Sequence, residues 1–327
     1  MQTESTGRYR SQLPQLQEQT FLTDGGLETD LIFNRGVDLP CFASFPLIRT
    51  EEGRVHLREY IMPYVRLARE YQYGFVLESF TWRANRDWAE RLGISEPELS
   101  DVTLESIRFL EEIREQYDCE ATPFVISGCV GPRGDGYDPG AAMTVEEACD
   151  YHSHQLSLLK DTAVDFVSGI TMTNFQEALG LTEAARAVSL PVVVSFTVET
   201  DGRLPTGQPL REAVEAVDEH SGGYPAYYMI NCAHPTHFQS VLNPEQEWVG
   251  RILGVRANAS CKSHAELDEC TELDCGNPHA LGRELAELRR LLPNLRVLGG
   301  CCGTDIRHLQ AIAQAWPGSS KPSLAAT

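Results

Sequence analysis

Short apolar runs alternate along this chain with longer segments whose apolar residues recur every three to four positions. These are the periods of buried strands and of amphipathic helices. Phe21-Leu22-Thr23-Asp24-Gly25-Gly26 predicts a short strand ending in a glycine turn, and an apolar pattern continues over 27–33. A helix is predicted over 51–73, where Val55, Leu57, Tyr60, Ile61, Tyr64, Val65 and Leu67 share a face and Pro63 predicts a kink. A strand over 74–80 follows, then one or two helices within 88–116, with Pro97 and Ser100 marking a start. The strand over 123–129 ends in a Gly/Pro/Asp-rich loop at 131–140, and Thr144-Val145-Glu146-Glu147 is a capping box for a helix reaching about residue 163. Further strands are predicted over 165–171, 191–198, 226–232, 251–256 and 295–300. The stretch Pro191-Val192-Val193-Val194-Ser195-Phe196 is β-branched enough to be buried on both faces. Helices are predicted over 175–188, 211–220, 236–242, 279–292 and 305–316.

Eight strands, each followed by a helix-sized segment, predict a (β/α)8 TIM barrel over 20–316. A polar leader over 1–19 precedes it, and a low-complexity tail over 317–327 is expected to be disordered. A doubly wound open sheet would want Gly-x-Gly-x-x-Gly after the first strand, and Asp24-Gly25-Gly26-Leu27-Glu28-Thr29 does not supply it. In a barrel the active site lies at the C-terminal strand ends. Asp24-Gly25-Gly26 ends the first strand, Cys232 the sixth and Cys301-Cys302 the eighth. The eighth strand closes against the first, so these residues converge on one mouth.

Composition adds exclusions. Forty-seven acidic against 27 basic residues give a net charge of −20, a surface that repels nucleic acid and anionic membrane. The first 20 residues are polar and unlike a signal peptide, and no apolar run is long enough to span a bilayer. A cytoplasmic, reducing setting follows, with the ten cysteines as thiols or metal ligands.

The chemistry lies in those cysteines. Adjacent side chains on a regular strand point to opposite faces, but Gly299, Gly300 and Gly303 let the backbone leave the pleat around Cys301 and Cys302. Both sulfurs then turn toward a shared object, and Cys232, at the end of another apolar run, supplies a third. The plainer alternative is a set of buried, inert thiols. Three thiolates suit a Zn2+ ion whose fourth position stays open for substrate. A thiol bound there is a thiolate, poised to attack an alkyl donor.

With these motifs in place, the chain resembles the homocysteine S-methyltransferase family over about 20–316. The resemblance rests on the Asp24-Gly25-Gly26 turn, the Asn231-Cys232 pair and Gly299-Gly300-Cys301-Cys302-Gly303, with support from Val194-Ser195-Phe196-Thr197 and Gly207-Gln208-Pro209-Leu210. The family includes S-methylmethionine-dependent and betaine-dependent enzymes and the homocysteine module of cobalamin-dependent methionine synthase. It implies zinc on Cys232, Cys301 and Cys302, a homocysteine thiol as acceptor, and the backbone at Asp24, Gly25 and Gly26 holding the amino-acid end. With one barrel filling the chain, the methyl donor is expected to be a small sulfonium or ammonium compound, or to be delivered by another protein. One departure stands out. Many members end the fourth strand in a glutamate that binds the substrate amino group, and alignment on Glu177-Ala178 puts Ile170 there. Glu78, ending the second strand, is a candidate substitute, and a different small thiol is the alternative acceptor. A non-catalytic redox barrel with Cys301-Cys302 as the sensing pair is the alternative from another class.

Other residues carry weaker signals. Cys261, His264, Cys270 and Cys275 lack the paired spacing of a structural zinc site. Cys129 faces the mouth, and His234 and His237 are candidates either for tuning a bound sulfur or for capping the next helix. Trp82, Arg83 and Asn85 are placed to line a donor pocket, where an aromatic face suits a cationic donor.

Overall fold

The computed structural model describes residues 7–137, 140 and 142–316. Eight parallel strands pair in sequence order and close into one barrel: β1 (Phe21–Leu22), β2 (Gly74–Glu78), β3 (Phe124–Val130), β4 (Phe166–Met172), β5 (Val192–Phe196), β6 (Tyr227–Asn231), β7 (Ile252–Ala257) and β8 (Val297–Gly300). The seam between β1 and β8 pairs Phe21 with Val297 and Leu22 with Leu298. The helices are α1 (Leu27–Thr29), α2 (Glu51–Tyr71), α3 (Arg86–Arg91), α4 (Glu96–Tyr117), α5 (Val145–Leu159), α6 (Phe175–Ala187), α7 (Leu210–Ser221), α8 (Pro235–Phe238), α9 (His264–Asp268), α10 (Pro278–Glu287) and α11 (Ile306–Ala315).

The (β/α)8 expectation is therefore met, with differences at the ends of elements. The segment 88–116 resolves into α3 and α4, and α4 starts from Ser95, not Ser100. Ser95 and Glu98 form a reciprocal capping box with Pro97 in the first turn, whereas Ser100 Oγ bonds back to the Glu96 carbonyl inside the helix. Pro63 lies inside α2 without dividing it. The capping box at Thr144 is present, but α5 ends at Leu159, four residues short of the predicted 163. The tail at 317–327 lies outside the described residues. Among the described residues, no helix is long and apolar enough to cross a membrane.

Inside the barrel, side chains change character with height. A lower apolar layer contains Phe21, Val76, Val125, Phe166, Val193, Tyr227, Leu253 and Val297. Above it inward positions turn polar: Glu78, Ser127, Ser168 and Ser195 one pleat higher, and Asn231 and Arg256 beyond them, all buried. Residues 7–19 pack across the bottom. The Tyr9 amide donates to Asp165 Oδ1 at 2.6 Å, Arg10 donates to the Val164 carbonyl, and Leu13 joins the apolar layer. Floor, polar layer and open top are thus stacked along the barrel axis, the usual barrel arrangement.

Candidate active site

Cys232 follows β6 directly and adopts a left-handed backbone, φ 52°, which turns it out of the strand's alternation. Its amide donates to the Arg256 carbonyl, and its own carbonyl accepts from Asn258 Nδ2 (3.0 Å) and His264 Nε2 (2.7 Å). Cys301 follows β8, held by its amide to Ala257, and its carbonyl accepts from both the amide and the hydroxyl of Thr304. The glycines here act differently from expectation. Only Gly303 has a positive φ, 77°. Gly299 and Gly300 are required for room, since a Cβ on them would collide with the Thr23 and Thr304 hydroxyls.

The three sulfurs of Cys232, Cys301 and Cys302 lie within 4.8 Å of one another. Cys232 and Cys301 are joined as a disulfide with Cα atoms 5.3 Å apart, inside the usual range for such bonds. The alternative redox reading named Cys301 and Cys302 as its pair, but the bond joins Cys232 to Cys301: successive residues leave the turn in different directions, whereas the ends of β6 and β8 aim at one point. Cys302 Sγ lies 3.2 Å from the Tyr137 hydroxyl. The donor set fits zinc. Tetrahedral zinc–thiolate bonds of about 2.3 Å place sulfurs roughly 3.8 Å apart, a spacing that three sulfurs inside 4.8 Å reach with small shifts once the disulfide is reduced. Among the described residues no other such cluster forms. Cys270 Sγ bonds to the Glu266 carbonyl and lies 3.5 Å from Lys262 Nζ, and Cys261 is exposed.

These sulfurs wall a cavity of about 330 Å³ at the barrel's top, together with Asp24, Gly25, Gly26, Glu78 and Ile170. Every expected substrate-binding residue therefore reaches one cavity. Arg256, at the end of β7, was not anticipated. Its Nη2 donates to Asp24 Oδ1 at 2.6 Å, its Nη1 to Glu78 Oε2 at 3.2 Å, and its Nε to the Gly300 carbonyl at 3.3 Å. Tyr60 donates to Asp24 Oδ2 at 3.0 Å and Ser168 to Glu78 Oε1 at 2.5 Å. Burial pushes both carboxyls up from their ordinary values, with Arg256 pulling against that rise. The guanidinium is itself disfavoured by burial, but the two carboxylates more than offset this and raise it, so it stays charged. A signal existed in the sequence: Ile252-Leu253-Gly254-Val255-Arg256 is an apolar strand ending in an arginine, where a barrel keeps its functional residues.

Ile170 is 6% exposed and lines the cavity, so no carboxylate stands at that position. The next residue, Thr171, has φ 65°, a costly conformation for a β-branched side chain. Asn231 clamps it, accepting from the Thr171 amide (3.0 Å) and donating to its hydroxyl (2.8 Å), while Ser195 donates to Asn231 Oδ1 at 2.6 Å. Glu177 is turned elsewhere, bonded to His152 and the Arg133 amide.

Trp82 lines the cavity with its indole donating to the Ile170 carbonyl, and Arg83 stacks against Trp82 and Trp88. Asn85 instead caps α3. Cys129 also lines the cavity, its thiol held protonated by burial. His234 caps α8, and burial pulls its imidazole down to about 4. His237 lies inside α8 and does not cap it; it is buried and bonded to the Cys261 carbonyl, where the loop after β7 folds over it. His264 bridges the Cys232 carbonyl and Glu199 and stacks on Tyr137 with ring centroids 3.9 Å apart. This brace between β6, the loop after β3 and α9 links segments too far apart in sequence for spacing to reveal it.

Comparison with known proteins agrees with this geometry. A family model described as homocysteine S-methyltransferase matches residues 21–316. Among curated relatives, "Homocysteine S-methyltransferase 4" of Zea mays is 26% identical over 322 residues, covering 90% of this chain and 88% of the relative. "Homocysteine S-methyltransferase YbgG" of Bacillus subtilis is 22% identical, covering 70% of this chain and 75% of the relative. Among solved structures, the Escherichia coli homocysteine methyltransferase MmuM superimposes in its oxidized form with TM-score 0.71 at 21% identity, covering 92% of this chain and 97% of that one. Its metallated form gives 0.70 at 22% identity, covering 93% and 98%. A barrel of this order, a thiol cluster at its mouth and a family match over nearly the whole chain lead to one conclusion: the chain belongs to the homocysteine S-methyltransferase family, enzymes of thiol S-methyl transfer.

Proposed function

We propose that Cys232, Cys301 and Cys302, in their reduced form, hold a zinc ion, and that a small thiol bound there accepts a methyl group from a small sulfonium or ammonium donor. The observation that carries this reading is the convergence of three sulfurs on the wall of one buried cavity. Zinc held by such a set keeps an incoming thiol deprotonated at neutral pH. The chain's own residues do the rest. Asp24, Glu78 and Arg256 fix the tail end of the acceptor, and the Asn231 clamp sets the ends of β4 and β6 that bound the site. Phe42, Phe80 and Trp82 in the cavity wall offer aromatic faces to a cationic donor such as S-methylmethionine. The acceptor sulfur forms the new S–CH3 bond while the donor's S–C or N–C bond breaks. That electron pair remains on the donor, which leaves neutral.

Homocysteine is the acceptor the family name suggests, and a reducing, cytoplasmic setting keeps the thiols available. The Cys232–Cys301 disulfide favours a second reading, a redox-responsive barrel. One experiment separates them. In reduced, zinc-loaded protein, thiol addition is expected to release about one proton per bound thiol, and Cys232→Ala to lose zinc and methyl transfer together. A Cys232→Ala protein with stoichiometric zinc and full turnover refutes the enzyme assignment. Reversible oxidation that needs no metal, without methyl transfer, supports the redox reading.

A further inference from the structure

The carboxylates beside the thiol cluster already hold a cation. Asp24 and Glu78 are both salt-bridged to Arg256, at 2.6 and 3.2 Å, and their other oxygens accept from Tyr60 and Ser168. All three charged side chains are buried, at 4%, 7% and 7% exposure for Asp24, Glu78 and Arg256. Of the other acidic residues lining the cavity, Asp135 is paired with Arg83 at 3.1 Å. Glu28 accepts from the Ser44 hydroxyl at 2.8 Å, and burial raises its carboxyl toward the neutral form. Ile170 adds an apolar surface to the same cavity wall.

A substrate ammonium entering this cavity must shed its water and find a carboxylate. At the thiol end it meets instead two carboxylates whose four oxygens already accept from Arg256, Tyr60 and Ser168, with the guanidinium's own charge beside them. We infer that Arg256 occupies the place of an acceptor's ammonium group, and that the acceptor is a small thiol without an α-ammonium. The protein brings its own cation to the two carboxylates, so the acceptor need not carry one. A carboxylate or a hydroxyl on the acceptor's tail is compatible with the same pocket. The hydrogen bonds described for Arg256 use three of its five N–H groups. The inference rests on the thiol-methylation reading and sharpens it, with Arg256 and Ile170 as the specificity-determining residues.

The test titrates reduced, zinc-loaded protein calorimetrically with L-homocysteine, with mercaptobutanoate (the same chain without the amino group) and with mercaptopropanol (neither charge), following proton release. A parallel arm needs no metal. It compares binding of L-methionine and of methylthiobutanoate, the two methylated products, by fluorescence of Trp82 in the cavity wall. At least about tenfold tighter binding of the ammonium-free thiol and thioether is expected, and Ile170→Glu combined with Arg256→Gln should shift that preference at least about tenfold toward the amino acids. The two ammonium-free thiols tell whether the tail carboxylate is read. Equal or tighter binding of L-homocysteine by the wild-type protein overturns the inference, even if the double variant fails to fold. If Glu28→Gln then abolishes that binding, Glu28 is the ammonium site. Homocysteine binding at least as tight as that of the ammonium-free thiols, with proton release, would sink this inference and leave the methyl-transfer reading intact. Proton release with none of the thiols, despite stoichiometric zinc, would sink both.

Discussion

Replacing Arg256 with leucine should expose how the polar layer is held together. The substitution keeps most of the stem's apolar volume but removes the cation between Asp24 and Glu78, which are both nearly fully buried. Breaking a buried ion pair by deleting one partner costs about 3–5 kcal/mol, because a charge is left without compensation. The protein can escape part of that cost by protonating the orphaned carboxyls. From ordinary values near 4, doing so at pH 7 costs about 4 kcal/mol each, at about 1.4 kcal/mol per pH unit. The two together set a ceiling of about 8 kcal/mol. Each carboxyl is already raised by burial and rises further without Arg256. A folded-state value above the unfolded one means the native state binds the extra proton, so the contribution to stability is present below the unfolded value and lost as pH rises. The variant's deficit is therefore expected to be about 3–5 kcal/mol at pH 7 and to shrink by at least about 2 kcal/mol at pH 5. Urea unfolding of both proteins at the two pH values, followed by tryptophan fluorescence, measures it. A deficit below about 1 kcal/mol at pH 7, or one unchanged at pH 5, would refute the reasoning.

Three further outcomes follow from the same geometry. Asn231→Ala removes the clamp on Thr171 and should cost about 2–4 kcal/mol, combining lost hydrogen bonds with the exposed strain of a left-handed threonine; Thr171→Gly in that background should recover part of the loss in urea unfolding. Gly300→Ala drives a methyl into the Thr304 hydroxyl and should destabilise by about 1–3 kcal/mol, and Thr304→Ala, which removes the hydroxyl but keeps the Cβ, should relieve part of it. For His234, burial lowers the imidazole to about 4, so the unfolded chain binds the extra proton between about 6.5 and 4 and stability falls as pH drops through that window. Discounted for partial solvent access, the loss is about 1–2 kcal/mol, and His234→Asn, which keeps a capping side chain, should flatten that part of the pH–stability curve.

The barrel was legible because parallel strands covered on both faces read as unbroken β-branched runs, and Val192–Phe196 is such a run. The cysteines were legible for a related reason: a barrel collects its strand ends, so position along the chain became position in space. Arg256 escaped because pairing is a tertiary fact. Nothing local to β7 says that Asp24, 232 residues away, waits across the mouth. The start of α4 was misplaced because Ser95 and Ser100 both precede acidic residues, and only the hydrogen bonds decide which one caps. The glycines flanking Cys301 were noticed for the freedom they give the backbone. Gly299 and Gly300 are needed instead because Thr23 and Thr304 fill the space a side chain would take.

The floor of the barrel has a consequence for how the chain is made. The Tyr9 amide and the Arg10 guanidinium find their partners at Asp165 and Val164, 156 and 154 residues further on. At synthesis rates of about 5–20 residues per second, these first segments wait roughly 8–30 seconds before their binding sites exist. Until then Leu13 and Phe21, both destined for the lower apolar layer, have no barrel interior to enter. The foundation of this structure is laid first in sequence but seated late in time, and a nascent chain must be kept from sticking elsewhere while half of its length is still unmade.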